Sequence, residues 1–150
     1  MTKKIPTLLA VRVLFVAVIF LVPAAVLAQT AKHPALPPNL AKYVGKYPAD
    51  LMKVPAVRSR LRALLGRSYS EFDNATGVQH EIEKKGDFLL AAGCTPHLCA
   101  SIQAAFVIDL KNKRIHAVIY DEDEAPRYFN EDKAATPKVL LEWVAGLKGT

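Results

Sequence analysis

Two short apolar runs, residues 104–110 and 114–120, stand on either side of Lys111-Asn112-Lys113, and they constrain the fold more than any other feature of the chain. Both are rich in Val, Ile and Phe, which suit a pleated and buried surface. The short link between them reads as a hairpin turn, with Asn112 available for a positive φ, so the two strands are expected to be antiparallel neighbours. Upstream, residues 78–83 and 87–92 predict two more strands around a Lys84-Lys85-Gly86 turn, and residues 126–129 predict an edge strand.

Helical spacing brackets this β-rich middle. Pro55 sits where a first helical turn begins, Val57, Leu61, Leu64 and Leu65 recur on one face, and Gly66 is a stop signal. Arg58, Arg60, Arg62 and Arg67 read as its solvated face. Tyr69 and Phe72 suggest a short second helix toward Asn74 and Gly77. Thr136-Pro137 is a cap followed by a first turn, and Val139, Leu140, Trp143, Val144 and Leu147 line one side of a final helix. The expected class is α+β: an antiparallel sheet of about five strands, helices packed on one face and the other face partly open.

The N-terminus carries an export signal over residues 1–28. Lys3 and Lys4 precede an apolar run, and Val26-Leu27-Ala28 precedes a cut at Gln29. Pro23 interrupts the run, which falls short of the roughly 20 residues that span a bilayer. No Cys stands at the cut to take a lipid, so no membrane attachment is expected after cleavage. Lys3, Lys4 and Arg12 leave with the signal, so 20 basic residues become 17 against 14 acidic ones and the net charge falls from +6 to +3. That is ordinary for a solvated surface and gives no reason to expect a nucleic-acid partner. Residues 29–39 read as a flexible leader broken by Pro34, Pro37 and Pro38, and residues 40–150 as a single domain.

Cys94 and Cys99 are the only cysteines, with Thr95-Pro96-His97-Leu98 between them. An exported protein meets oxidising conditions, so a disulfide is the first reading, and Pro96 helps so short a loop to turn. Such a small ring adds little global stability and serves rather to hold the loop in one shape. The spacing is not that of a C-x-x-C redox site. A zinc site needs about four ligands, and only His97 and His116 offer themselves. His97 at the tip of a stapled loop is the most informative residue, because a pre-formed loop loses little entropy on binding and an imidazole can hydrogen-bond to carboxylates.

Cys94-Thr95-Pro96-His97-Leu98-Cys99, after a strand ending at Gly93 and before one running through Val107-Ile108-Asp109, resembles the signature loop of the Ivy family, the periplasmic inhibitors of vertebrate lysozyme. The similarity takes in the export signal, the strand order and Leu141-Glu142-Trp143, and covers roughly residues 55–147. The resemblance implies a loop of C-K-P-H-D-C type that protrudes from the sheet and enters the lysozyme cleft, where its His meets two catalytic carboxylates. A retaining glycosidase holds those groups about 5 Å apart, close enough for one imidazole to bridge. His97 takes that role by analogy. Thr95 stands where the family has Lys, Leu98 where it has Asp, and Ala100 where it has Gly.

The leading expectation is therefore a periplasmic inhibitor that plugs a peptidoglycan-cleaving enzyme, either a lysozyme or a bacterial lytic transglycosylase. The alternative is a non-inhibitory binding module, using the same loop or the open sheet face on an envelope protein or on a second copy in a homodimer. An enzyme is not expected, and neither is a cofactor or metal. His97 and His116 with Asp87 or Asp109 can be drawn as an acid–base set, but no nucleophile elbow, paired-carboxylate motif or metal cluster supports it. Ser68, Ser70 and Ser101 lie in no recognisable context.

Overall fold

A computed structural model describes residues 33–148; the expected export signal lies outside the described residues. A 3-10 turn at Leu40–Tyr43 leads into helices α1 (Pro48–Met52), α2 (Pro55–Leu65) and α3 (Tyr69–Asn74). Strands β1 (Val78–Gln79), β2 (Glu83–Lys85), β3 (Phe88–Cys94), β4 (Ile102–Asp109), β5 (Arg114–Asp121) and β6 (Arg127–Asn130) follow, and α4 (Lys138–Leu147) closes the chain. Pro48 and Pro55 open their helices, where a missing N–H costs nothing. Gly66, at φ +53, ends α2 as expected.

All strand pairs are antiparallel, in the order β1-β3-β4-β5-β6, with β2 also on β3. The run at residues 78–83 is divided rather than continuous. From Gln79 to Glu83 the chain advances four residues while its partner advances three, from Gly93 to Leu90. This one-residue excess is a β-bulge. It frees Ile82 from the ladder: its side chain is buried, its N–H donates to the Lys46 carbonyl at 2.7 Å and its carbonyl accepts from Gly45 N–H at 2.9 Å. The bulge thereby ties the segment before α1 to the sheet.

The α+β class stands, but helices lie on both faces of the sheet instead of one. Leu89, Ala91, Phe106, Ile108, Ile115, Ala117 and Ile119 pack with residues of α1, α2 and α3. The alternate positions Leu90, Ala92, Ala105, Val107, Val118 and Tyr120 pack under Leu140 and Val144 of α4. The period-two alternation of a strand sends successive side chains to opposite sides, so two apolar sets require two covers. The continuous runs of β3, β4 and β5, apolar at nearly every position, carry that requirement in the sequence.

Three local expectations are corrected. Arg60 is not on a solvated face: it is buried and pairs with buried Glu131, whose Oε2 also accepts the Ile115 N–H at 2.7 Å. Its guanidinium further donates to the Lys113 carbonyl at 2.8 Å and the Pro34 carbonyl at 3.3 Å. Together with buried Leu36, this holds the later part of the proline-rich leader against the domain. In the β4–β5 turn the positive φ falls on Lys113 at +56, not on Asn112. The Asp109 carboxylate accepts the N–H groups of Lys111 and Asn112 at 3.0 and 2.8 Å and the Asn112 side-chain amide at 2.7 Å, which fixes Asn112 in the turn. Burial alone would raise the Asp109 carboxyl, but these hydrogen bonds, aided by His116, hold it below its ordinary value. Finally, Thr136 does not cap α4. Pro137 holds the cap position, and the Thr136 hydroxyl accepts from Asn130 Nδ2 at 2.9 Å.

Candidate functional site

The loop between β3 and β4 is built on a ladder that stops abruptly. Cys94 pairs with Gln103, and Thr95 N–H still reaches the Ile102 carbonyl at 2.9 Å. The Thr95 carbonyl then accepts Leu98 N–H at 2.9 Å, closing a four-residue turn with Pro96 and His97 at its centre. His97 has φ +66. Proline first and positive φ second is the type II pattern, and His enters the left-handed region more readily than most non-glycine residues. The Leu98 carbonyl accepts Ser101 N–H at 3.0 Å and Ile102 N–H at 2.8 Å, which returns the chain to β4.

Cys94 and Cys99 are disulfide-bonded across this turn, with their Cα atoms 4.8 Å apart. Cys94 is buried at the root, whereas Pro96, His97, Leu98, Cys99 and Ala100 are exposed. Thr95 is buried beside Cys94, and its hydroxyl has no hydrogen-bond partner among the described residues. A side chain at Gly77 would come within 2.9 Å of Pro96 Cδ, so the turn before β1 buttresses the loop closely. Leu98, at 47%, and Val78, at 44%, are exposed aliphatic side chains at this end of the sheet, Val78 pairing with Cys94 across β1 and β3.

A second element reaches the same end. The β4–β5 register pairs Ile102 with Asp121, and Ser101 carbonyl accepts Glu122 N–H at 3.0 Å. The acidic run Asp121-Glu122-Asp123-Glu124 thus begins at the foot of the disulfide loop. It is an ordered turn: Asp121 Oδ1 accepts Asp123 N–H at 3.0 Å. No salt bridge joins these four to a cation among the described residues. Arg127 is taken by Glu71, and that hydrogen bond, with Glu124 and Asp121 adding their charge, holds its pKa above the ordinary value.

The other candidates are not brought to the loop. The pairing Cys94–Gln103–Tyr120 sets the loop level with Tyr120, four residues and so about 13 Å along β5 from His116. His116 is buried, with Nδ1 2.8 Å from Asn130 Oδ1. Asn130 in turn hydrogen-bonds Thr136 Oγ1 at 2.9 Å, so the ring is tied into the segment before α4. Asp87 and Asp109 lie at the far end, where Leu110 N–H meets the Asp87 carbonyl. Ser68 and Ser70 belong to the α2–α3 region. Of Ser68, Ser70 and Ser101, only Ser101 joins the site, through its backbone. Among the described residues no group of three or more His, Cys, Asp or Glu is placed to hold a metal, and no helix is long and apolar enough to cross a membrane. Sequence reasoning did not join Ser101 to Glu122, although counting outward from the β4–β5 turn brings them together.

Comparison with known proteins assigns the chain to a family. The family model described as "Inhibitor of vertebrate lysozyme (Ivy)" matches residues 56–149, more than half of the chain. A curated relative, the uncharacterized protein y4bG of Sinorhizobium fredii (strain NBRC 101917 / NGR234), is 26% identical over 72 residues. That match covers 48% of this chain and 27% of the relative's length. No solved structure matches the chain.

Proposed function

The chain belongs to the Ivy family, inhibitor of vertebrate lysozyme, and on that premise we propose that it is an exported inhibitor whose disulfide loop plugs the cleft of a peptidoglycan-cleaving enzyme. The observation that carries this reading is the exposure of His97 at the left-handed corner of a turn closed by Cys94 and Cys99. The target is a lysozyme or a bacterial lytic transglycosylase. His97 approaches the target's catalytic carboxyl groups, about 5 Å apart in a retaining enzyme, and one imidazole denies both of them to substrate. The inhibitor works by occupying a catalytic centre, not by supplying one. Residues 1–28 direct the chain to the periplasm and are removed there, leaving residues 29–150 with the domain over residues 40–150.

The acidic turn supports the same reading. Animal lysozymes are basic, and four carboxylates beside the loop offset the chain's net positive charge where contact is made. Leu98 in place of an Asp gives the tip an aliphatic surface, which favours a target with an apolar wall near its carboxylates. A non-inhibitory envelope-binding module using the same loop is the competing reading. A muramidase turnover assay separates the two: the inhibitor lowers the rate stoichiometrically, whereas a binding module is captured with the enzyme and leaves the rate unchanged.

A further inference from the structure

The face of the sheet under α4 is not fully covered. Its single helix of ten residues leaves a cleft of about 500 Å³ between α4 and the β2–β3 hairpin, within the roughly 300–1,000 Å³ of small-molecule sites. Leu90 and Val139 form its apolar lining with the half-buried ring of Trp143, and Glu83, Lys85 and Glu142 supply its polar groups. Register explains the grouping: Glu83 pairs with Leu90 and Lys85 with Phe88, so the β2 side chains alternate in step with β3 on the α4 side of the sheet.

We propose that this cleft binds a neutral pyranose. The charges decide against an ionic ligand, because each carboxylate already has a cation: Glu83 pairs with Lys85, and Glu142 with Lys138 at 3.0 Å. Paired in this way, the two carboxylates and two ammonium groups carry no net charge to draw an ionic ligand. Each pair leaves a second carboxylate oxygen free to accept, while the Lys85 ammonium has further N–H groups to donate. An aromatic ring next to acceptors and a donor, with balanced charge, suits a molecule with C–H groups on its faces and hydroxyls around its rim. A sugar ring has that form. The site lies on the α4 face, apart from the disulfide loop, and does not rest on the inhibitor reading.

Trp143 is the chain's only tryptophan, so its emission reports on this cleft directly. The purified protein is titrated with tri-N-acetylchitotriose and, separately, with cellotriose, which lacks the acetamido groups. A saturable change in emission with either supports the proposal, and the tighter of the two names the class of glycan. Glu83→Gln combined with Glu142→Gln removes a carboxylate acceptor from each rim pair and should weaken binding roughly tenfold. Both positions are at the surface, so the melting temperature should hold. No saturable change with either sugar, or equal affinity in the double variant, overturns the proposal.

Discussion

The Arg60 guanidinium and the Glu131 carboxylate meet inside the domain, 71 residues apart in sequence, and join α2 to the segment after β6. Both side chains are almost wholly buried. Removing either partner leaves an unpaired charge in a low-dielectric interior, which typically costs about 3–5 kcal/mol. Glu131→Gln or Arg60→Met should therefore lower the unfolding free energy by that amount, read from denaturation curves. The double variant Arg60→Met with Glu131→Leu should recover only part of the loss: it removes the unpaired charge but still deprives the Ile115 N–H and the Lys113 carbonyl of their partners. A single substitution costing under about half a kcal/mol would show that the pair is not enclosed.

Thr95 presents the opposite case. Its buried hydroxyl lacks a partner among the described residues, so it bears a desolvation cost with no hydrogen bond in return. Thr95→Val keeps the shape and removes the cost, and should raise stability by up to about 1 kcal/mol. Urea denaturation of the oxidised protein measures it. Destabilisation by as much as that would mean that the hydroxyl is hydrogen-bonded in solution.

How far the sequence carries the structure depends on the range of the interaction. Pro55 and Gly66 bound α2 locally, and the residues around Lys111 to Lys113 set a hairpin locally, so both were legible. Cys94 to Cys99 were legible as a stapled loop for the same reason. Arg60 was not, because its partner lies far along the chain and a long basic side chain on a helix ordinarily faces water. The bulge before Ile82 was hidden in a run that reads as an unbroken strand. Helices on both faces were legible in principle: the continuous apolar stretches of β3, β4 and β5 call for two covers. Asn112 misled because a turn asparagine can accept a hydrogen-bonded role as well as a positive φ, and Asp109 gives it the first.

Asp109 also gives the fold a pH dependence. Its carboxyl is held below the ordinary 3.8 by the turn's hydrogen bonds. A carboxyl depressed in the folded state stabilises the fold at pH values above its unfolded pKa, and that contribution fades as pH falls toward the folded value. Stability measured from pH 7 downward should decline below about pH 4. Asp109→Asn should be less stable at neutral pH and lose less on acidification. Parallel curves for parent and variant would refute the assignment.

The acidic turn should act on encounter more than on residence. Charges at the rim of an interface steer association and weaken with salt, since the screening length is about 8 Å at physiological ionic strength. Glu122→Lys with Asp123→Lys should slow association with a basic muramidase about tenfold or more at low salt, with little change in dissociation. Stopped-flow association rates at several ionic strengths provide the test. An unchanged rate at low salt would place this turn outside the contact.

The loop decides the function. His97→Ala removes the imidazole from an exposed tip, so the only cost to the fold is that of Ala in the left-handed region, about 1 kcal/mol or less. Inhibition should be lost, and mainly through faster dissociation, where truncations within an interface act. The positive φ at His97 makes a second variant informative. His97→Gly accepts that backbone without strain, so it keeps the turn while deleting the ring. If the imidazole is the active element, Gly and Ala fail alike; if the loop's shape is what matters, Gly retains inhibition and Ala does not. Leu98→Asp then tests the target. A carboxylate one residue from His97 can orient the ring and favour its protonated form, and should strengthen inhibition of an animal lysozyme. It also removes the exposed aliphatic surface at the tip, so a target with an apolar wall should be inhibited less. Opposite responses from animal lysozyme and a bacterial lytic transglycosylase would identify the bacterial enzyme as the natural partner. Full inhibition of every tested muramidase by His97→Ala would end the plug model and leave the binding module in its place.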